Sequence, residues 1–154
     1  MISELEKTLP SRRWSQIVFC GFGEPTARLD VLLEVAKWVH VHHRVVPIRL
    51  DTNGHGYALN PERNVVEELK NAGVVKSSVS LNGHNEETYR ENCKPKIKRS
   101  FETVLDFVKK AKEAGLDVEV SAVRMPEVDI NKVREIVEVL GVPFRVRDYV
   151  PCFW

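Results

Sequence analysis

The residues best suited to bind a ligand are concentrated between Val18 and Thr26. An apolar segment leads there directly into Gly21 and Gly23, and the carboxylate of Glu24 and then Pro25 follow. Glycine lets a backbone approach a ligand closely or adopt a positive φ, and a charge at the end of a buried strand is typical of a functional loop. A tight turn between a strand and a helix would need the same glycines. The carboxylate and the proline favour a binding site.

A second candidate stretch follows residues 45–50, which have the character of a strand. It contains Asp51, Thr52, Asn53 and Gly54. Such a stretch suits a ligand pocket, and it equally suits an Asx-type turn, in which the side chain bonds to the backbone two residues on. The residues alone leave both explanations open.

The histidines point less clearly to metal chemistry. His40, His42 and His43 occur together at a predicted helix end, but their spacing is not the i, i+4 pair of helical zinc sites. Histidines at a helix C-terminus also interact favourably with the helix dipole, so a solvated helix end is favoured over a metal site. His55 and His84 each follow a predicted strand, and no neighbouring residue assigns either of them a role.

The cysteines do not form a local motif. Cys20, Cys93 and Cys152 are an odd number spaced far apart, which predicts neither a disulfide framework nor a metal-binding knuckle. We therefore expect no metal site formed by these 154 residues alone, and no catalytic residue is identified.

Composition predicts a single globular domain over residues 1–154. Hydrophobic residues make up 43% and charged residues 29% of the chain, which is enough apolar material for a core. The net charge of +1 favours neither nucleic acid nor an acidic membrane, and the basic residues 94–99 lack the interleaved aromatics of a nucleic-acid site. The sequence shows neither a membrane-spanning apolar run nor a signal peptide, so we expect a cytoplasmic protein.

Strand-like and helix-like segments alternate along the chain, and this alternation indicates an α/β fold. Asp30 is a candidate cap for the second helix, Asn60 and Pro61 are candidates for the start of the third, and Gly73 for its end. The predicted strands are residues 16–20, 46–50, 76–81, 116–123 and 144–147. The predicted helices are residues 2–7, 30–43, 62–72, 86–93, 99–114 and 129–140.

Strands separated by helices should be parallel neighbours, which predicts a curved parallel sheet of about five βα units, a partial TIM barrel. In such sheets the carboxyl ends of the strands carry the ligand chemistry. Those ends are expected to bring together residues 23–24, 51–53, 82–84, 124–125 and 148–149.

Three of these strand ends resemble the motifs of one enzyme superfamily. Gly23-Glu24-Pro25 resembles the glycine-glycine-glutamate-proline motif of radical S-adenosylmethionine (radical SAM) enzymes, here in the form Gly21-Phe22-Gly23-Glu24-Pro25. Residues 51–54 and 80–82 resemble the motifs of the next two strand ends. With residues 85–89 and 126–130 added, nearly the whole chain is similar to the radical SAM proteins associated with TatD-type deoxyribonucleases.

The resemblance implies S-adenosylmethionine as the cofactor. The backbone around Gly23 and Glu24 would hold its amino group, with the Glu24 carboxylate as an acceptor for the ammonium. Ser80 and Asn82 would approach its ribose or carboxylate. The implied cofactor-binding residues are Gly21, Gly23, Glu24, Pro25, Asp51, Asn53, Ser80, Asn82 and Arg124.

The chain departs from the family in its cysteines. Members hold a four-iron, four-sulfur cluster on a Cys-x-x-x-Cys-x-x-Cys loop, and the cluster delivers the electron that cleaves the sulfonium. No such triplet occurs in these 154 residues. Residues 2–9 are similar to the remainder of the helix that follows this loop, which predicts an N-terminally truncated radical SAM domain that is inactive alone and carries the cluster only in a longer form.

Two classes of function follow from the resemblance. In the first, a longer form generates a 5′-deoxyadenosyl radical and acts on a substrate that the sequence does not identify. In the second, the chain is a non-enzymatic module that binds an adenosyl ligand or a protein partner. Loss of the first family strand would leave residues 17–19 as an uncovered sheet edge, so we also expect self-association.

Overall fold

The computed structural model describes residues 2–11 and 13–150, which contain a five-stranded, all-parallel β-sheet. The strand order follows the chain, β1-β2-β3-β4-β5. This confirms the predicted α/β class, and the sheet is consistent with a partial TIM barrel. The strands are β1 (Ile17–Phe19), β2 (Ile48–Thr52), β3 (Val74–Ser80), β4 (Asp117–Arg124) and β5 (Phe144–Asp148).

Helices connect the strands, and two 3₁₀ turns, Leu9–Ser11 and Pro25–Arg28, precede β1 and α2. None of the helices in residues 2–11 and 13–150 is long and apolar enough to cross a bilayer. Cys152 lies outside the described residues. The helices are α1 (Ile2–Thr8), α2 (Leu29–His42), α3 (Gly56–Leu59), α4 (Val65–Asn71), α5 (Glu86–Cys93), α6 (Ser100–Glu113) and α7 (Ile130–Leu140).

The two faces of the sheet differ in chemistry because side chains alternate along each strand. On the helix-covered face, Leu50, Val79 and Val120 are fully buried in a core with residues such as Val39 and Phe107. This burial holds the strands in register and thereby fixes where each strand ends.

The opposite face, called the inner face here, is polar. Register pairs Asp51 of β2 with Ser78 of β3, and Ser78 with Glu119 of β4. The members of the inner face in β2 to β5 with polar side chains are Arg49, Asp51, Lys76, Ser78, Ser80, Asp117, Glu119, Ser121, Arg145 and Arg147.

Two predicted helix starts were wrong. Asp30 lies inside the first turn of α2 and pairs with Arg63 at 2.6 Å instead of capping, because the chain enters α2 directly from the 3₁₀ turn. Asn60 follows α3, and its side-chain amide donates to the carbonyl oxygens of Thr26 and Gly56. That helix therefore begins later, after Asn64.

The connection from β3 to α5 is tight. Asn85 and Thr88 form a reciprocal capping box at the start of α5, so that this helix has the predicted bounds. A Cβ built on Gly83 would lie 2.5 Å from the backbone N and Cα atoms of Tyr89, whose side chain is 1% exposed. Gly83 thus allows α5 to pack directly against the end of β3.

We expect Gly83→Ala to destabilise the fold by about 1–3 kcal/mol, because the added methyl group must displace buried backbone rather than a flexible side chain. Urea denaturation followed by circular dichroism measures this. Gly21→Ala is the matched control, since a Cβ there meets no atom closer than 4.0 Å. Equal stability of the two variants would contradict the packing argument.

Candidate functional site

A polar cavity of about 290 Å³ opens at the carboxyl ends of the strands, where parallel α/β sheets bind ligands. It contains six of the nine predicted cofactor-binding residues, contributed by the ends of β1, β2 and β3. Its lining residues are Cys20, Gly21, Gly23, Glu24, Asp51, Thr52, Asn53, Ser78, Ser80, Ser121 and Arg147.

A second cavity of about 840 Å³ adjoins the first and shares Gly23, Glu24, Asn53 and Ser80 with it. Its remaining lining is more apolar and comes from the segments that follow β1, β2 and β3, including parts of α3 and α5. The additional residues are Phe22, Ala27, His55, Leu59, Asn82, Tyr89, Cys93, Pro95, Lys96 and Ile97. The two cavities together form one groove that passes from a polar to an apolar end.

Glu24 fixes the geometry of the polar end. Its Oε1 accepts hydrogen bonds from the Thr26 backbone N–H at 3.1 Å, from the Thr26 hydroxyl at 2.7 Å and from the Thr52 hydroxyl at 2.7 Å. Its Oε2 accepts from the Asn53 backbone N–H at 2.7 Å. One carboxylate therefore ties the loop after β1 to the end of β2 and caps the 3₁₀ turn.

Of the two uses that glycine allows here, Gly21 and Gly23 do not adopt a positive φ. A Cβ on Gly23 would meet no atom within 4 Å. The absent side chain at Gly23 therefore leaves open space beside the backbone at the junction of the two cavities. This is the arrangement needed for a ligand to approach the backbone.

Asp51 and Asn53 line the cavity in different ways. Asp51 accepts two hydrogen bonds from Arg49, at 2.7 and 2.9 Å, and this pairing raises the pKa of the guanidinium. The Asn53 side-chain oxygen accepts from the His55 backbone N–H at 3.0 Å, an Asx-type contact. The sequence left open whether residues 51–54 form a pocket or an Asx-type turn. In the structure Asn53 both lines the cavity and forms the turn.

Ser80 and Asn82 connect β3 to later strands. The Ser80 hydroxyl accepts from Arg147 Nη2 at 3.3 Å. The Asn82 side-chain oxygen accepts from the Val123 backbone N–H at 2.9 Å, across to the end of β4. Ser80 faces both cavities, while Asn82 faces the apolar one only.

Two predicted residues lie outside both cavities. Pro25 is the first residue of the 3₁₀ turn and shapes the loop. Arg124 at the end of β4 is exposed and pairs with Asp148 at 3.3 Å. Neither residue lines the groove in the part of the chain that the structure describes.

His55 and Tyr89 form a buried pair in the apolar cavity that sequence reasoning did not find. The Tyr89 hydroxyl lies 3.1 Å from His55 Nε2, and the two rings meet edge to face. Burial lowers the pKa of His55 and raises that of Tyr89, so a neutral imidazole accepts from a protonated phenol at neutral pH. The only signal for this pair in the sequence was the position of His55 after a predicted strand.

Fold and site define an α/β protein with a groove at the carboxyl ends of a parallel sheet, the place where such sheets bind ligands. The sequence model of the Radical SAM superfamily matches residues 1–140, and the chain belongs to this superfamily. Family membership supports a radical SAM type of function, with S-adenosylmethionine as the small-molecule partner. No protein among the curated sequences matches the chain.

The described residues fit one of the two groups that this family uses. The groove offers hydroxyls, amides and open backbone at its polar end and an apolar end beside them, which suits a zwitterion joined to a nucleoside. Within residues 2–11 and 13–150, no three His, Cys, Asp or Glu side chains come together to hold a metal ion. Cys20 and Cys93 are exposed cysteines, and they do not provide an iron–sulfur site.

We expect Glu24→Gln to destabilise the protein by about 1–3 kcal/mol, because an amide presents an N–H group to one of the donors that the carboxylate now satisfies. Urea denaturation measures the change. Glu135→Gln on the exposed surface of α7 is the matched control, and it should alter stability by less than about 0.5 kcal/mol. A neutral result for Glu24→Gln would mean that its hydrogen bonds do not organise the loop.

His55 gives the stability a defined pH dependence. Its pKa in the folded protein lies below 6.5, so the unfolded chain takes up the proton first as the pH falls, and the fold loses stability as the pH drops through about 6.5. Urea denaturation at about pH 7.5 and about pH 5.5 should show this loss. His55→Gln should reduce the difference between the two values; an unchanged difference would assign it to other groups.

Proposed function

We propose that these residues form the S-adenosylmethionine-binding part of a radical SAM enzyme, and that the polar end of the groove holds the methionine end of the cofactor. The observation that carries this proposal is the convergence of Gly21, Gly23, Asp51, Asn53 and Ser80 on one cavity. These residues come from three strand ends that are far apart in sequence. Membership of the superfamily supports the choice of cofactor.

The ammonium group of the cofactor needs acceptors, and the loop after β1 offers them. Glu24 Oε2 accepts one hydrogen bond, from Asn53, and a carboxylate oxygen has capacity for a second. No cation within the described part of the chain pairs with Glu24 within 4.0 Å, so its charge is available to a cationic ligand. Glu24 thus both organises the loop and attracts the ammonium and sulfonium charges.

The adenosine part would occupy the more apolar cavity. Ser80 lies where the two cavities meet, which suits a ribose hydroxyl, and Asn82 lines the cavity beyond it. Leu59 and Ile97 supply apolar surface for a planar base. This assignment places the ligand across the ends of β1, β2 and β3.

The cofactor reacts in this family when a bound iron–sulfur cluster supplies an electron to it. We propose that the 154 residues bind S-adenosylmethionine but do not cleave it, because they contain no Cys-x-x-x-Cys-x-x-Cys triplet. The thiolates would have to come from residues outside this sequence. The alternative is a non-enzymatic adenosyl-binding role. In that case no other residues would supply a cysteine triplet to the bound cofactor.

Calorimetric titration with S-adenosylmethionine tests the binding site. We expect saturable binding, weakened at least about tenfold by Gly23→Ala, because a methyl group there fills the space that the ligand needs without contacting the protein. After reconstitution with iron and sulfide the cofactor should remain intact. Glu135→Ala, on the exposed surface of α7, is the control variant for affinity.

Wild-type affinity in Gly23→Ala would contradict the assignment of the loop, since this variant is expected to retain its stability. Absence of saturable binding to the wild-type chain would contradict binding by these residues alone. Reductive cleavage by the reconstituted chain would overturn the proposal that the cysteine triplet is needed from elsewhere.

A further inference from the structure

The inner face of the sheet has more charged groups than cofactor binding requires. Nearly all of these charges are already paired. Asp51 is bonded to Arg49, Lys76 lies 3.1 Å from Asp117, and the Glu119 carboxylate accepts from Ser78 and faces Arg145 at 3.8 Å. Every inner-face carboxylate in the described strands is therefore paired with a cation.

Arg147 is the exception among the described cations of this face. Its guanidinium has no carboxylate within 4.0 Å in residues 2–11 and 13–150, and its hydrogen bond is the one to the Ser80 hydroxyl at 3.3 Å. It is also the one cationic side chain that lines the polar cavity. A guanidinium has five N–H donors, so most of its capacity faces the cavity unused.

Ser121 is a second unpartnered group at the same place. Its side chain is 1% exposed, it lines the polar cavity, and its hydroxyl has no hydrogen-bond partner among the described residues. Ser121 of β4 is paired in register with Ser80 of β3. The Arg147 side chain extends from the edge strand β5 across β4 to Ser80. The Ser121 hydroxyl is therefore free to bond to a ligand in the cavity.

A guanidinium and an unpartnered serine hydroxyl that converge on one cavity are suited to an anion. Arginine binds the two oxygens of a carboxylate or phosphate through parallel N–H donors, and hydroxyls donate to the remaining lone pairs. We propose that Arg147, held by Ser80, and Ser121 bind the carboxylate or phosphate group of a second substrate, a small polar molecule held on the inner face. The proposal rests on the proposed function of the groove.

The position of this anion subsite separates it from the methionine end of the cofactor. The ammonium nitrogen and the carboxylate carbon of an amino acid share one Cα and lie only about 2.5 Å apart. Gly21 and Gly23 follow β1, whereas the Arg147 guanidinium lies at Ser80 of β3, two strand spacings of about 4.8 Å away along the sheet. An ammonium held at the glycines therefore keeps its own carboxylate near β1 and β2.

The test is a ¹H–¹⁵N NMR titration of the chain with inorganic phosphate and, separately, with acetate. We expect saturable shifts at Ser80, Ser121 and Arg147, with the tighter of the two probes identifying the anion class. Arg147→Gln should weaken this binding at least about tenfold, and Arg147→Lys less, because lysine keeps the charge without the planar fork. Ser121→Ala should weaken it several-fold.

Arg44→Gln is the charge-matched control, because Arg44 is exposed in the loop before β2. It should change the anion affinity by less than about twofold, as expected for a remote surface charge. Equal losses in Arg44→Gln and Arg147→Gln, or wild-type anion affinity in Arg147→Gln, would overturn the proposal. So would a lack of saturable shifts in the wild-type chain.

Calorimetry with S-adenosylmethionine separates the two proposals. Arg147→Gln should leave cofactor affinity within about twofold of wild type, whereas Gly23→Ala should not. If Arg147→Gln weakens cofactor and phosphate binding alike, the anion is the carboxylate of the cofactor, and the second-substrate proposal fails. If the wild-type chain binds the anion probes but not the cofactor, the proposed function fails instead.

Discussion

The hydrogen bonding of one carboxylate determines the shape of the ligand groove. Glu24 accepts from Thr26, Thr52 and the Asn53 backbone, so it connects a short edge strand to its neighbour at the point where both end. β1 has three residues and pairs with β2 alone among the described strands. Glu24 thus adds to the β1–β2 ladder and to the hydrogen bond from Asn60 to Thr26 in holding the loop after β1 against the rest of the site.

The contrast between the two faces of the sheet separates stability from function. The helix-covered face supplies the apolar burial, with Leu50, Val79 and Val120 fully buried. The inner face contributes little apolar area and is instead filled with ion pairs and hydroxyls. Because the helices already stabilise the sheet, the inner face is free to carry polar groups, and its unpaired groups are informative about ligands.

The two ends of the polar cavity carry opposite charges. Glu24 presents a negative charge at the β1 end, and Arg147 presents a positive charge at the β5 end, while Asp51 and Arg49 neutralise each other between them. A cationic cofactor and an anionic second molecule would therefore be drawn to opposite ends of one cavity. This arrangement follows from which residues are paired rather than from net charge, which is only +1 for the chain.

The sequence was sufficient for the elements whose signals are local. Alternating strand-like and helix-like segments predicted five strands, and Gly73 marked a helix end that the structure confirms. The helix at residues 62–72 was placed too early, since Asn60 bonds to Thr26, which lies 34 positions before it. A contact of that kind leaves no local signal.

The sequence by itself determined the α/β class, the strand order and most strand-end residues of the site, because periodicity and turn chemistry act between near neighbours. Tertiary structure alone decided how those residues are used. Glu24 meets Thr52 across 28 positions, Asn82 meets Val123 across 41, and Arg147 meets Ser80 across 67. Whether a charge is paired or open depends on such distant neighbours, and only the folded sheet, which sets the register between strands, brings them together.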